Sequence, residues 1–92
     1  MAVRLVVSMK ALPGKRQEMI EAYTSFCPEV QQEPGCQQFE MYQNIELPDQ
    51  FVLLERWADQ ESLTAHGQLT QDRRAAMASL RTVVGEVERY TS

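Results

Sequence analysis

Residues 51–57 read Phe-Val-Leu-Leu-Glu-Arg-Trp, and this stretch carries most of the information about the fold. Aromatic and β-branched residues favour a strand, and successive side chains of a strand point to opposite faces of a sheet. Val52 and Leu54 therefore share one face, and the odd-numbered residues, which include Trp57, share the other. A solvated face of an antiparallel sheet reads polar. Because this strand is apolar on both faces, we predict that both are covered.

Two further strands are predicted before this one. Residues 3–9 are rich in Val and Leu and precede the turn signal Pro13-Gly14, which indicates a first strand. Residues 37–43 alternate polar and apolar side chains and indicate a second strand. The turn-rich segment 44–50 joins the second strand to the third and fits a hairpin.

Helical spacing follows the first and the third strand. In residues 15–33 the apolar positions recur at helical intervals, and Pro28 is expected to kink this helix or break it late. Asp59 is placed to cap a second, short helix, and Glu61 in its first turn favours the positive end of the helix dipole. This short helix passes through His66.

The last part of the chain predicts one more helix and a final strand. Thr70 restarts a helix whose inner face extends to Val83 or Val84 and which ends near Gly85. Residues 86–90 then alternate in polarity and indicate an edge strand. The order β-α-β-β-α-β, with its second helix in two pieces, is the ferredoxin-like α+β arrangement with a four-stranded antiparallel sheet.

Composition limits the classes of protein. The chain has 92 residues, of which 43% are hydrophobic and 24% charged, so we expect one domain over residues 1–92. Nine Lys and Arg stand against 13 Asp and Glu without a basic run, which predicts no nucleic-acid partner. The apolar N-terminus is too short for a signal sequence, and no apolar run approaches the roughly 20 residues that span a bilayer. We therefore predict a cytoplasmic protein with no membrane partner.

The sheet predicted above has one face without helices. In a ferredoxin-like fold the helices cover only one face, yet the third strand is apolar on both. A second copy of the chain is the simplest cover, since two-fold pairing is the commonest way to bury such a patch. We predict a homodimer with facing sheets. A mostly apolar cavity between those sheets would suit a small molecule, and we place the functional site there.

Glu55 is the most unusual residue of the third strand. It lies two residues from Trp57 and therefore on the same face, and burial would raise the pKa of such a carboxyl group towards that of a useful base. The alternative is a structural ion pair with an arginine of a neighbouring strand, such as Arg4, Arg56 or Arg89. Trp57 by itself is more often a core or interface anchor.

His66 is the only histidine, and histidine is the side chain that most readily transfers protons near neutral pH. A core histidine with satisfied hydrogen bonds is the alternative, and one histidine also argues against a His-rich metal site. Tyr42 offers a hydroxyl either to a ligand or to a cross-strand partner. Cys27 and Cys36 are too few for a disulfide scaffold or a structural zinc site, and we interpret them as small buried hydrophobes, with a reactive thiol as the alternative.

Four segments together form a recognisable pattern. They are Pro13-Gly14, Glu-Pro-Gly-Cys at 33–36, the stretch 51–59, and Leu-Thr-Ala-His at 63–66. Its most specific part is the Glu-x-Trp strand followed, nine residues after the Trp, by Ala-His. This pattern resembles the antibiotic biosynthesis monooxygenase domain family over nearly the whole chain. The resemblance implies a dimeric α+β barrel made of two ferredoxin-like subunits.

The resemblance also implies candidate activities. The best-known members of the family look like cofactor-independent oxygenases. They oxidise quinols or anthrone-type aromatics with neither flavin nor metal. By this resemblance His66 is the base or proton shuttle, and Glu55 is its orienter or an alternative base. Trp57 is then a stacking wall, and Tyr42 is a hydrogen-bond donor. The substrate-binding residues expected on this basis are Trp57, Tyr42, Phe51 and Leu53.

Other family members imply other reactions, because a fold does not determine a function. Some isomerise small hydroxyketones and some degrade haem. The haem-degrading branch is disfavoured, since the first strand has Val6-Val7-Ser8 and no asparagine of the kind that branch uses. The remaining alternative is a dimer without turnover, which either binds a small aromatic or carbonyl compound or is associated with stress.

Overall fold

Five strands and three helices occur in the computed structural model, which describes residues 1–91. The strands are β1 (Val3–Ala11), β2 (Cys36–Gln43), β3 (Gln50–Trp57), β4 (Arg81–Val83) and β5 (Glu88–Thr91). The helices are α1 (Arg16–Val30), α2 (Gln60–Leu69) and α3 (Gln71–Ala78). The predicted α+β class and ferredoxin-like order are confirmed, including the division of the second helical region into two helices.

The sheet is antiparallel and has β1 and β3 at its centre. β2 pairs with β3, and β3 pairs with β1 in a register that runs from Val3 opposite Trp57 to Lys10 opposite Gln50. The other edge of β1 pairs with two short strands, β5 near its beginning and β4 near its end. This register decides which side chains of β1 and β3 meet beneath the helices.

The last edge of the sheet differs from the prediction. α3 ends at Ala78 rather than near Gly85, and residues 81–83 form β4, so the sheet has five strands instead of four. The predicted helical spacing was misleading because the edge of β1 offers unpaired backbone groups. Val84 donates its N–H to the carbonyl of Ser8 at 2.8 Å, which draws this β-branched segment into the sheet.

The helix ends follow local chemistry. α1 ends at Val30, two residues after Pro28, so the proline precedes a late break as expected. The carboxylate of Asp59 accepts a hydrogen bond from the backbone N–H of Ser62 at 2.8 Å and caps α2 as predicted, and this bond lowers the pKa of Asp59. None of the helices within residues 1–91 is both long and apolar enough to cross a membrane.

The helices pack on one face of the sheet, and the core lies between them and the odd-numbered residues of β1 and β3. Its buried members are Val7, Met9, Ala11, Met19, Tyr23, Phe26, Val30, Phe39, Phe51, Leu53, Trp57 and Met77. On the opposite face Val6, Val52 and Leu54 are only half-buried. We call this opposite face, centred on Val6, Val52 and Leu54, the open face.

Candidate active site

A cavity of about 210 Å³ lies between the helices and the sheet. Most of its wall is apolar and comes from β1, α1 and β3, together with two valines of the C-terminal region. Its polar lining residues are Tyr23, Glu55, His66, Arg74 and Arg81. An apolar cavity with a few converging polar groups is the usual form of a small-molecule site. We refer to it as the inner cavity.

Three larger grooves are more open and lack this combination. One of about 410 Å³ lies beside β2 and Cys27, one of about 320 Å³ lies beside the end of β2 and Val84, and one of about 390 Å³ lies between α1 and α3 near Met77. None of these grooves is lined by Glu55 or His66. The buried titratable groups therefore select the inner cavity as the candidate active site.

Glu55 is 7% exposed and projects from β3 beneath the helices. Burial raises the pKa of its carboxyl group, because charge is costly away from water. The indole N–H of Trp57, which donates to Oε1 at 3.0 Å, and the neighbouring His66 and Arg74 oppose this rise. The net direction is upward, so Glu55 holds a proton to higher pH than an ordinary glutamate.

Glu55 does not form the alternative ion pair with Arg4, Arg56 or Arg89. Arg4 and Arg56 lie opposite each other on the open face, and Arg89 donates instead to the side chain of Gln60. No ion pair within the described part of the chain includes Glu55. The buried carboxyl group is thus satisfied by a neutral hydrogen-bond donor, the indole of Trp57, and not by an ion pair with an arginine.

His66 is 5% exposed and is held from two sides. Its Nδ1 lies 3.0 Å from Oε1 of Glu33, and its backbone carbonyl accepts hydrogen bonds from the N–H and the hydroxyl of Thr70. A carboxylate only accepts, so it favours a proton on Nδ1 and leaves Nε2 as the basic nitrogen. The orienting carboxylate of His66 is therefore Glu33, whereas sequence reasoning gave this role to Glu55.

Glu33 reaches His66 because the chain turns sharply before β2. Gly35 has a positive φ of 81°, and a Cβ atom at this position would overlap the side chain of Ser62 at the start of α2. The carbonyl of Gly35 also accepts a hydrogen bond from the N–H of Ala58 at 2.8 Å. The turn thus packs directly against the first turn of α2 and carries Glu33 to the histidine.

Trp57 supports the two titratable groups from behind. It is fully buried, and its ring lies against the imidazole of His66 with centroids 4.7 Å apart and an interplanar angle of 32°. Phe39 contacts the same imidazole at a centroid distance of 5.4 Å. Trp57 is not part of the wall of the inner cavity, so it positions Glu55 and His66 instead of forming the expected stacking surface.

The remaining predicted residues divide between the inner cavity and other surfaces. Leu53 lines the inner cavity, but Phe51 lines the grooves near β2. Tyr42 is 49% exposed and lies opposite Val52 in the β2–β3 register, so it belongs to the open face. The structure therefore brings Glu55, His66 and Leu53 together and leaves Phe51 and Tyr42 apart from them.

The cavity that Glu55 and His66 line is not the one expected from the sequence. The sequence placed the cavity between two facing sheets, whereas the inner cavity lies between the sheet and the helices of one chain. The physical reason is the two-residue period of β3, which puts Glu55 on the same face as the core residues Leu53 and Trp57. The helices cover that face.

Three lining residues were not anticipated. Tyr23 accepts a hydrogen bond from Nε of Arg81 at 3.1 Å and donates its own hydroxyl proton to Sδ of Met9 at 3.6 Å, and burial raises the pKa of its phenol. Arg74 donates to the carbonyl of Gly67 at 2.7 Å. In the sequence, Tyr23 follows the helical spacing of the apolar residues of α1, so it is interpreted as a core residue. The only sequence signal is that a buried tyrosine hydroxyl needs a partner.

Both cysteines are free and pack against the core in half-buried positions, close to the interpretation as small hydrophobes. Burial raises the pKa of Cys27 to about 11 and shifts the pKa of Cys36 in the same direction, so neither thiol carries much thiolate near neutral pH. Across residues 1–91, no group of three or more His, Cys, Asp or Glu side chains is placed to hold a metal ion.

Comparison with known proteins identifies the family of this chain. The sequence profile described as "Antibiotic biosynthesis monooxygenase" matches residues 2–78. The chain belongs to the antibiotic biosynthesis monooxygenase family. Among functionally curated proteins, none matches this family member at a significant level.

Solved structures show the same fold over almost the entire chain. A conserved protein from Methanosarcina mazei Go1 is 27% identical with a TM-score of 0.81, and the match covers 98% of this chain and 89% of that one. A protein from Chloroflexus aurantiacus J-10-fl, provisionally named an antibiotic biosynthesis monooxygenase, is 26% identical with a TM-score of 0.85, covering 100% and 93%. A protein of the same provisional name from Nitrosomonas europaea is 20% identical with a TM-score of 0.88, covering 99% and 89%. These similarities support the ferredoxin-like assignment of this antibiotic biosynthesis monooxygenase family member.

Proposed function

We propose that the protein is a cofactor-independent monooxygenase that oxidises a small quinol-like aromatic with dioxygen in the inner cavity. The observation that carries the proposal is the pairing of His66, held by Glu33, with the buried carboxyl group of Glu55 in one apolar cavity. An electron-rich hydroquinone that loses a proton becomes an anion able to pass an electron to dioxygen. The protein then needs only a base, a dry pocket and a proton donor.

The two titratable groups have different tasks in this proposal. His66 accepts the substrate hydroxyl proton at Nε2, because Glu33 at Nδ1 stabilises the imidazolium that forms. Glu55, whose pKa is raised by burial, donates a proton as the second oxygen atom leaves as water. One oxygen atom enters the ring and the other becomes water, so the substrate supplies all the electrons and no external reductant is consumed.

The size of the inner cavity narrows the substrate class. An engineered apolar cavity of roughly 150 Å³ holds one benzene molecule. At about 210 Å³ the inner cavity accommodates one ring or two fused rings. A three-ring anthrone would have to fill this volume far more tightly than benzene fills its cavity. We therefore expect one-ring and two-ring hydroquinones to be oxidised in preference to anthrones.

We also propose that two chains associate through the open face. Val6, Val52 and Leu54 are adjacent in the register of β1 and β3 and remain half-buried without a helix over them. A two-fold axis would pair this apolar strip with itself and remove it from water. The inner cavity lies on the other side of the sheet, so each chain of this homodimer would hold its own site.

Oxygen uptake with a chelator present tests the proposed activity on hydroquinones of one, two and three rings. We expect saturable uptake, and we expect His66→Ala and Glu55→Gln to lower kcat by about 10²–10⁴-fold, the usual contribution of proton transfer. Glu21→Gln removes an exposed carboxylate of α1 outside the inner cavity and serves as the matched control.

Other outcomes point to the alternative functions. An isomerase would convert a hydroxyketone without consuming oxygen, using the same base. A binding protein would show a ligand-dependent rise of Tm without turnover. Full oxygen uptake in both His66→Ala and Glu55→Gln would place the chemistry outside the inner cavity.

A further inference from the structure

We propose that Tyr23 and Arg81 form a second recognition point in the inner cavity, where the Tyr23 hydroxyl donates a hydrogen bond to an oxygen atom of the bound molecule. We call these two residues the Tyr23–Arg81 pair. The inference rests on the proposed function in one respect only, namely that the same inner cavity binds a small aromatic. It adds a specificity-determining contact at a place distant from the base.

The hydrogen bonds of Tyr23 favour this role. Its hydroxyl oxygen accepts from Nε of Arg81 at 3.1 Å, and its proton is directed to Sδ of Met9 at 3.6 Å. A thioether is a weak acceptor, so a buried strong donor is held here by a poor partner. A ligand oxygen can replace the sulfur at little cost. Accepting a bond from a guanidinium also polarises the O–H group and strengthens it as a donor.

The charge of Arg81 is available to the inner cavity. Arg16 and Arg73 form ion pairs with Asp49 and Glu29, but within residues 1–91 no carboxylate forms an ion pair with Arg81. Arg81 is half-buried on β4 and lines the inner cavity. A negatively polarised oxygen near Tyr23 would therefore meet a cation that is not already neutralised by a protein anion.

The sheet register separates this pair from Glu55 and from the base, His66, which neighbours Glu55. Leu5 lies opposite Glu55, whereas Met9, the hydrogen-bond partner of Tyr23, lies four residues further along β1. At about 3.3 Å per residue the Cα atoms of Leu5 and Met9 are roughly 13 Å apart, and both side chains line the inner cavity. The inner cavity thus has a basic end and a donor end. It suits an aromatic compound with an acidic hydroxyl at one end and a second oxygen at the other.

Binding of 2-naphthol and of naphthalene tests the proposal without any turnover. The two probes have the same fused rings, and only 2-naphthol carries an oxygen. Equilibrium dialysis of the parent protein should show tighter binding of 2-naphthol than of naphthalene. Tyr23→Phe keeps the buried ring and should reduce this preference by about threefold to tenfold, because one neutral hydrogen bond is lost, while the naphthalene Kd stays unchanged.

Variants of Arg81 test whether its charge polarises the Tyr23 hydroxyl or whether its side chain only packs against the ring. Arg81→Met should reduce the preference for 2-naphthol, Arg81→Lys should retain part of it, and Arg16→Met, which removes an exposed arginine of α1, should leave it unchanged. The double variant of Tyr23→Phe with Arg81→Met should lose no more than the larger single loss if the residues act as a unit. Thermal melts verify that each variant is folded.

The outcomes are separable from those of the proposed function. An unaltered 2-naphthol preference in folded Tyr23→Phe overturns the recognition role, and so does an equal loss of naphthalene binding. A protein that consumes no oxygen with any hydroquinone still supports the role of the Tyr23–Arg81 pair if the preference depends on both residues. Oxygen uptake with an unchanged preference supports the proposed function and rejects the pair.

Discussion

The two faces of β3 differ in burial, although they belong to the same strand. On the helix side, Phe51, Leu53, Glu55 and Trp57 are at most 7% exposed. On the open face Val52 and Leu54 are half-buried and Arg56 is exposed. The chain closes the first face with its own helices, which lets it bury a carboxyl group beside an indole. The second face is half-buried and has no helix over it, which is the basis of the association proposed above.

The largest contrast between these faces concerns stability. Trp57→Ala removes a fully buried ring from the helix side and should lower the free energy of unfolding by about 3–5 kcal/mol. Arg56→Ala, at the neighbouring exposed position, should change it by less than about 0.5 kcal/mol. Denaturant unfolding of both variants measures the difference. Similar losses for the two variants would contradict the assignment of the faces.

Association should depend on the open face alone. Leu54→Lys places a charge in the apolar strip and removes about 1.5–3 kcal/mol of burial from each chain of the proposed homodimer. Light scattering at micromolar concentration should show the parent at twice the mass of one chain and Leu54→Lys at the mass of one chain. Leu69→Lys, at a leucine of α2 that is 70% exposed, is the matched control. A parent protein that is monomeric at this concentration rejects the homodimer.

Activity should depend on the carboxylate that orients His66. Glu33→Gln keeps the size of the side chain but removes the charge beside Nδ1, and a hydrogen bond to a charged group is worth about 1.5–3 kcal/mol. We therefore expect kcat for a hydroquinone to fall by about tenfold or more, with less change in KM. The same kinetics on Glu61→Gln, an exposed glutamate of α2, give the reference. Unchanged kcat in Glu33→Gln would mean that Glu33 has a structural role only.

The smallest expected effect is a pH dependence of stability that Glu55 causes on the helix side of β3. Burial raises the pKa of Glu55 in the folded protein, so the native state holds its proton more tightly than the unfolded chain does. The stabilisation is present at low pH and is lost as the pH rises through the folded pKa. Glu55→Gln should remove this contribution while its amide oxygen still accepts from Trp57. As the pH rises from the ordinary glutamate pKa of 4.5 through the folded pKa of Glu55, Tm should therefore decline less steeply in Glu55→Gln than in Glu21→Gln.

Much of the fold was predictable because the signals are local. Three features depend only on residues close in sequence: the two-residue period of β3, the cap at Asp59 and the turn before β2. Each can therefore be recognised from the amino-acid sequence. The shared face of Glu55 and Trp57 follows from the same period. The C-terminal edge was not predictable, because residues 81–83 satisfy both helical spacing and strand propensity. Pairing with β1 decides between these alternatives.

The partners within the site lie beyond such local signals. His66 meets Glu33 across 33 residues of sequence, and Tyr23 meets Arg81 across 58. No periodicity connects residues so distant, since their contact depends on how α1, α2 and β4 pack on the sheet. The amino-acid sequence thus determined the first three strands, the cap of α2 and the family. Only the folded chain could show that the cavity lies beneath the helices and which side chains face each other inside it, because those contacts form through packing between distant segments.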